Sequence, residues 1–137
     1  MTPQWKHAEA DFQAYWARFG KRAWCHRFSD TAQAKGMNGP DAIAPAQPSD
    51  FLVCHDGVMF LAEVKYTIDL TAFHHKGVRP KQWGCARMSI PAGGLYFFFI
   101  KSAAMGKWYR VPARVLIDSK AKSTKWTELE DYVFDLS

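Results

Sequence analysis

Asp50, Glu63 and Lys65 are the residues whose types and spacing could do chemistry in this chain. Asp50 closes the triplet Pro48-Ser49-Asp50, and Glu63-Val64-Lys65 begins thirteen positions later, at the end of an apolar run. If residues 58–66 form a strand, period-two alternation sends Glu63 and Lys65 to one face and Phe60, Ala62, Val64 and Tyr66 to the other, into a core. A carboxylate and an ammonium side by side at the edge of a rigid sheet, with a second carboxylate nearby, are what metal-assisted phosphodiester hydrolysis needs. The acids hold a hard cation, and the lysine stabilises negative charge on the attacked phosphate. The plain alternative for Glu63 and Lys65 is an ion pair on an exposed strand.

These residues need a scaffold, and the patterning predicts one. Thr2 and Pro3 signal a helix start, and Phe12, Tyr15, Trp16 and Phe19 recur at helical spacing up to Gly20. Residues 23–28 read as a short strand, and 29–49, rich in Gly, Pro, Asn and Ala, as a long loop. Residues 50–54 and 58–66 read as a hairpin turned by His55-Asp56-Gly57. Residues 67–79 look like a basic, partly exposed connection. Pro80 opens a second helix reaching about residue 90, Pro91-Ala92-Gly93-Gly94 breaks it, and 95–102 is a strongly apolar strand. Residues 107–111 supply its partner across an Ala-Met-Gly turn, and Ser123 caps a last helix through Trp126, Leu129 and Val133.

The chain has 137 residues, enough for one domain (1–137) with a proper core, and no second domain is expected. A formal charge of +5 favours a polyanionic partner such as nucleic acid. With 48% hydrophobic and 15% aromatic residues, a dense core is expected instead of disorder. No window approaches the roughly 18 apolar residues of a membrane span. Met1 to Lys6 runs directly into a charged amphipathic segment, so neither a secretory signal nor a membrane association is expected. Cys25, Cys54 and Cys85 are odd in number and widely spaced, which argues for a reducing, cytoplasmic setting.

The combination of Pro48-Ser49-Asp50, Glu63-Val64-Lys65, Gln82 on the following helix and Gly93-Gly94 before an apolar strand resembles the PD-(D/E)xK nuclease superfamily. Within it the chain is most similar to Holliday junction resolvases of the RecU and Hjc type, from Glu9 to about Leu116 and best over 48–100. The motif is short, and its weight comes from agreement with spacing, element order and charge. The resemblance implies an α/β fold with a restriction-endonuclease-like core, a mixed central sheet flanked by helices in the order α-β-β-β-α-β-β, with room for a closing C-terminal helix. It implies that Asp50 and Glu63 ligate Mg²⁺ or Mn²⁺ together with the backbone carbonyl of Val64, and that Lys65 is the catalytic lysine. Water is one candidate nucleophile; Lys65 either positions or helps deprotonate it, or neutralises the developing phosphorane.

Glu9 matches the N-terminal helix acid of the Hjc-type pattern and is a candidate further metal ligand; ordinary dipole complementarity in a first helical turn is the alternative. Asp11 lies farther from the aromatic stripe. Gln82, in Pro80-Lys81-Gln82-Trp83, resembles the family's glutamine close to the site, where it contacts the water or a phosphate oxygen; solvated helix polarity is the alternative. Lys76, Arg79, Lys81 and Arg87, with His74 and His75, are candidate DNA contacts supplying salt-dependent affinity, against the alternative of a solvated basic loop. Asp30, after Arg27, either caps the long loop or joins the acidic cluster, and Asp41 reads as turn chemistry. The Cys25-His26, Cys54-His55 and His74-His75/Cys85 foci lack the paired-thiol spacing of zinc sites, and nothing local marks a nucleophilic thiol.

The expected reaction is therefore Mg²⁺-dependent hydrolysis of branched DNA, and the resemblance implies a homodimer, since resolving a four-way junction takes paired, symmetric nicks. The alternatives are a nuclease of the same fold with another DNA substrate, such as a nickase or a repair or restriction-type endonuclease, and a nonenzymatic DNA-binding module.

Overall fold

The computed structural model describes residues 2–28 and 47–137, so the candidates Asp30 and Asp41 lie outside the described residues. Helix α1 (Gln4–Ala17) starts after Pro3, and Gly20, at φ 57, turns the chain in a conformation that favours glycine. Ala8, Phe12 and Trp16, four residues apart, form its buried line. Phe12 sets its ring 4.9 Å from Phe51 and 4.8 Å from Phe99, which docks the helix on the sheet.

Strands β1 (Ala23–Arg27), β2 (Phe51–His55) and β3 (Val58–Thr67) form an antiparallel meander. The β2–β3 turn has Asp56 at φ 47 and Gly57 at φ 84, the double positive φ that suits a two-residue Asp-Gly hairpin, and Arg22 clamps Asp56 at 2.6 Å. After β4 (Ala72–His74), helix α2 (Pro80–Ser89) leads to β5 (Tyr96–Ser102), which lies parallel to β3. At the joint, a Cβ on Gly94 would lie 2.9 Å from the Ser89 carbonyl oxygen, so close approach of helix and strand requires glycine there. Strand β6 (Lys107–Pro112), helix α3 (Ala113–Ile117), β7 (Ser123–Lys125), a 3₁₀ helix (Trp126–Tyr132) and β8 (Val133–Phe134) complete the chain. The main sheet runs β1-β2-β3-β5-β6-β8, with β3/β5 its parallel pair, and β4 and β7 make a separate two-stranded sheet.

The sheet carries a core on each face. One packs α1 onto Phe51, Val53, Phe60, Ala62, Val64 and Phe99. The other packs Val78, Ala86, Leu116, Trp126 and Leu129 onto Phe98, Ile100, Tyr109 and Val111.

Three departures from expectation have physical causes. Residues 67–79 are not merely a connection: Ala72 and Phe73 are buried in β4, whose three residues are too few to show alternation and whose partner strand, Ser123–Lys125, lies far along the chain. The expected closing helix is replaced by β7, the 3₁₀ helix and β8. Trp126 and Leu129 stand three apart, the repeat of a 3₁₀ helix, and Trp126 Nε1 donates to the Asp69 carbonyl at 3.0 Å. Ser123 is a strand residue, and the Glu128 carboxylate instead accepts from the Lys125 amide at 3.0 Å. The short helix α3, directly after Pro112, was not anticipated by the sequence pattern.

Candidate active site

The hairpin register builds the site. Phe51 pairs with Ala62, so one step outward Asp50 meets Glu63 on the face away from α1. Glu63 Oε1 accepts from the Asp50 amide at 3.0 Å, and Asp50 Oδ2 accepts from the Val64 amide at 2.9 Å. Lys65 Nζ lies 3.1 Å from Glu63 Oε2. The period-two expectation for Glu63 and Lys65 therefore holds, with Phe60, Ala62 and Val64 buried on the opposite face. Glu63 is only 3% exposed. Burial first, and then the Asp50 charge, push its carboxyl up to about 7, while the Lys65 ammonium and the Asp50 amide pull the other way.

Glu9 arrives from the other side of the sheet. Arg27, in register with Phe51 and hence on the α1 face, holds Glu9 Oε1 at 3.1 Å. Burial raises the Glu9 carboxyl and the Asp50 charge adds to the rise, opposed by Arg27 and Lys65. Glu9 thus shares the electrostatic neighbourhood of Asp50 and Lys65 with one oxygen committed to Arg27. Among the described residues no three His, Cys, Asp or Glu side chains converge as a metal-holding group.

Asp50 and Glu63 nevertheless suit a hard divalent cation. Both offer carboxylate oxygens, Mg²⁺ takes one or two carboxylates and completes its shell with water, and mutual repulsion raises Glu63 in a way that a cation relieves. Val64, between Glu63 and Lys65, has its amide turned to Asp50, and its backbone carbonyl is the further oxygen that would complete the protein's share of such a shell.

Gln82 lies on the first turn of α2, buried, with Nε2 donating to the Gln47 carbonyl at 3.3 Å; its Oε1 is buried with no partner among the described residues. It therefore braces the segment leading into Asp50. Tyr96 does the same and was missed in the sequence: its hydroxyl donates to the Pro48 carbonyl at 2.6 Å. Burial, with the charges of Glu63, Cys85 and Asp50, raises the Tyr96 phenol far above its ordinary value, which keeps it a hydrogen-bond donor. The one available signal was a tyrosine heading the run Phe97-Phe98-Phe99. Ser49 is also buried, donating to the Phe51 carbonyl at 2.8 Å.

Lys76, Arg79, Lys81 and Arg87 are all exposed along the approach to α2 and on it, and none pairs with a carboxylate among the described residues. The two histidines of this segment have partners within the chain. His75 is half-buried, burial lowers its basicity, and it bonds Thr124 Oγ1 at 2.7 Å, linking β4's end to β7. His74 pairs with Asp69 at 2.9 Å. Cys25, Cys54 and Cys85 are free, and burial pushes the Cys25 thiol up to about 11, unsuited to nucleophilic attack. No described helix is long and apolar enough to cross a membrane.

No protein-family profile matches the sequence, and no curated protein matches it. Among solved structures, the chain is similar to the Holliday junction resolvase Hjc of Archaeoglobus fulgidus. The TM-score is 0.56 at 14% identity, over 88% of this chain and 85% of that one. At such identity the likeness is one of fold, and it agrees with the expected Hjc-like architecture of a mixed sheet flanked by helices.

Proposed function

We propose that this protein is a metal-dependent endonuclease that hydrolyses phosphodiesters of branched DNA, with a Holliday junction as substrate and a homodimer as the working form. The observation that carries the reading is the buried Glu63 carboxylate held between the Asp50 amide and the Lys65 ammonium, at one end of a rigid hairpin. Support comes from the resolvase-like fold and from exposed basic groups on and beside α2 that pair with no carboxylate among the described residues.

Asp50, Glu63 and the Val64 carbonyl would hold Mg²⁺ or Mn²⁺, which when bound supplies Lewis acidity at the scissile phosphate and a more acidic water. Lys65, next to the acids and partly open to solvent, places positive charge where the phosphate gains negative charge. Tyr96 and Gln82 fix residues 47–50, so Asp50 is presented without reorganisation. Lys76, Arg79, Lys81 and Arg87 contact the DNA backbone, giving affinity that falls with salt. Two sites related by a dimer axis allow the paired nicks that resolve a junction.

The test incubates wild type, Glu63→Ala and Lys65→Ala with labelled junction, duplex and flap, with and without Mg²⁺ or Mn²⁺. Metal-dependent, symmetric junction cleavage that both substitutions abolish while binding survives is expected. Cleavage persisting in Glu63→Ala sinks the site assignment. Equal cleavage of duplex points to a nuclease with another substrate, and junction binding without cleavage to a nonenzymatic module.

A further inference from the structure

The face that carries Asp50 and Glu63 continues across the outer half of the sheet without a helix over it among the described residues. Trp24 pairs with Cys54 and through it with Met59, and His26 pairs with Leu52 and through it with Leu61. The Phe28 amide donates to the Asp50 carbonyl at 2.9 Å, carrying the same pairing to the acids. Alternation along β1 places Trp24, His26 and Phe28 on one face, in three rows, with the innermost row ending at Asp50 and Glu63. Helix α1 covers the other face of these strands, and α2 and α3 cover β3, β5 and β6.

These rings are neither core nor scattered surface. Trp24, on the edge strand β1, is 54% exposed, and Met59, at the start of β3, is 56% exposed. The Trp24 and His26 rings lie nearly parallel, 19° apart with centroids at 5.6 Å, and Phe28 meets His26 edge-on at 5.4 Å. Beside Trp24 opens a hollow of about 270 Å³, bordered by Lys21, Arg22 and the Asp56 turn. Lys21 forms no ion pair among the described residues, so a cation stands beside an open aromatic face.

With centroids 5.6 and 5.4 Å apart along one strand, the three rings make a continuous run of exposed and half-exposed π-surface that leads toward the acids. Flat rings with an adjacent cation are how proteins hold unpaired bases, because every base has a π-face and every nucleotide a phosphate. Bases in closed duplex have both faces occupied by their neighbours and offer nothing to such a run of rings. We propose that Trp24 and His26 form a stacking platform for the unpaired bases of a strand whose scissile phosphate lies at Asp50 and Glu63. The platform selects frayed or single-stranded DNA at the cleavage point over closed duplex. It takes the endonuclease reading as its frame and adds the state of the strand that enters the site.

The test measures binding of the full chain in EDTA, where no cleavage occurs, to a fluorescein-labelled blunt duplex and to the same duplex with 5′ or 3′ oligo(dT) overhangs. Wild type is expected to prefer an overhang. Trp24→Ala should lose roughly ten-fold in overhang affinity with blunt-duplex binding unchanged, and Trp24→Phe should recover most of it. An unchanged melting temperature in Trp24→Ala shows that the variant is folded, and 5-iodouracil in the overhang should crosslink to Trp24. Equal binding of overhang DNA by wild type and Trp24→Ala overturns the proposal, as does equal loss on both substrates. Because the readout is binding, Trp24-dependent overhang affinity in a protein that cuts no DNA would sink the nuclease reading and leave the platform standing.

Discussion

Replacing Glu63 by glutamine removes a charge that the fold holds out of water. The carboxyl rises from its ordinary value of 4.5 to about 7, with burial the first cause and Asp50 the second. A carboxyl whose folded pKa lies above its unfolded one favours the folded state only when protonated. At pH below ~4.5 the group is neutral in both states and costs nothing; as pH rises through the folded value the cost is complete. At ~1.4 kcal/mol per unit, the ionised form costs the metal-free protein on the order of 3 kcal/mol. Glutamine keeps the shape and an acceptor for the Asp50 amide but turns its NH₂ toward Lys65, so the expected gain is about 1–3 kcal/mol. For a chain of this size that corresponds to roughly 3–10 °C in melting temperature at pH 8. The assay is thermal unfolding of wild type and Glu63→Gln in EDTA at pH 5 and pH 8, then with Mn²⁺ added. The variant should melt higher at pH 8, the difference should shrink toward pH 5, and Mn²⁺ should stabilise wild type far more than the variant. A variant no more stable than wild type at pH 8, or a gap independent of pH, would refute the claim that Glu63 is held ionised at a cost that a cation offsets.

Tyr96→Phe removes the hydroxyl that holds the Pro48 carbonyl, costing about 1 kcal/mol in a denaturant titration. Its Mn²⁺ affinity should fall by a larger factor than its DNA affinity, since the loss falls on the placement of Asp50. Arg79→Ala with Lys81→Ala should weaken DNA binding at all sequences and flatten the plot of log affinity against log salt by ~0.9 for each phosphate contact removed.

The hairpin bearing Asp50, Glu63 and Lys65 was legible because three independent signals agree there: Asp56-Gly57 turn chemistry, alternation from Phe60 to Tyr66, and the offset of the acids. Pro80 likewise marked α2 and so placed Gln82 on its first turn, where the structure buries it. What escaped the sequence depends on partners far along the chain. Nothing near Tyr96 announces that its hydroxyl meets Pro48, forty-eight residues away. Arg27 was visible at the end of a strand, but its pairing with Glu9 follows from how α1 lies across β1. The β4–β7 sheet unites two segments of three residues each, below the length at which periodicity carries information. The C-terminal segment has apolar residues at spacings compatible with a helix, yet Val133 and Phe134 do more by extending the sheet beside β6.

The reciprocal bonds between Asp50 and the Glu63-Val64 pair extend the β2–β3 ladder with side chains serving as its last rungs. Fraying at that end of the hairpin therefore breaks the same bonds that hold the two acids in place. Exchange of the Asp50 and Val64 amide protons with solvent reports directly on the fraction of molecules in which these two bonds are intact. Heating should silence the protein at the temperature where these two amides lose protection, below that at which the aromatic core melts.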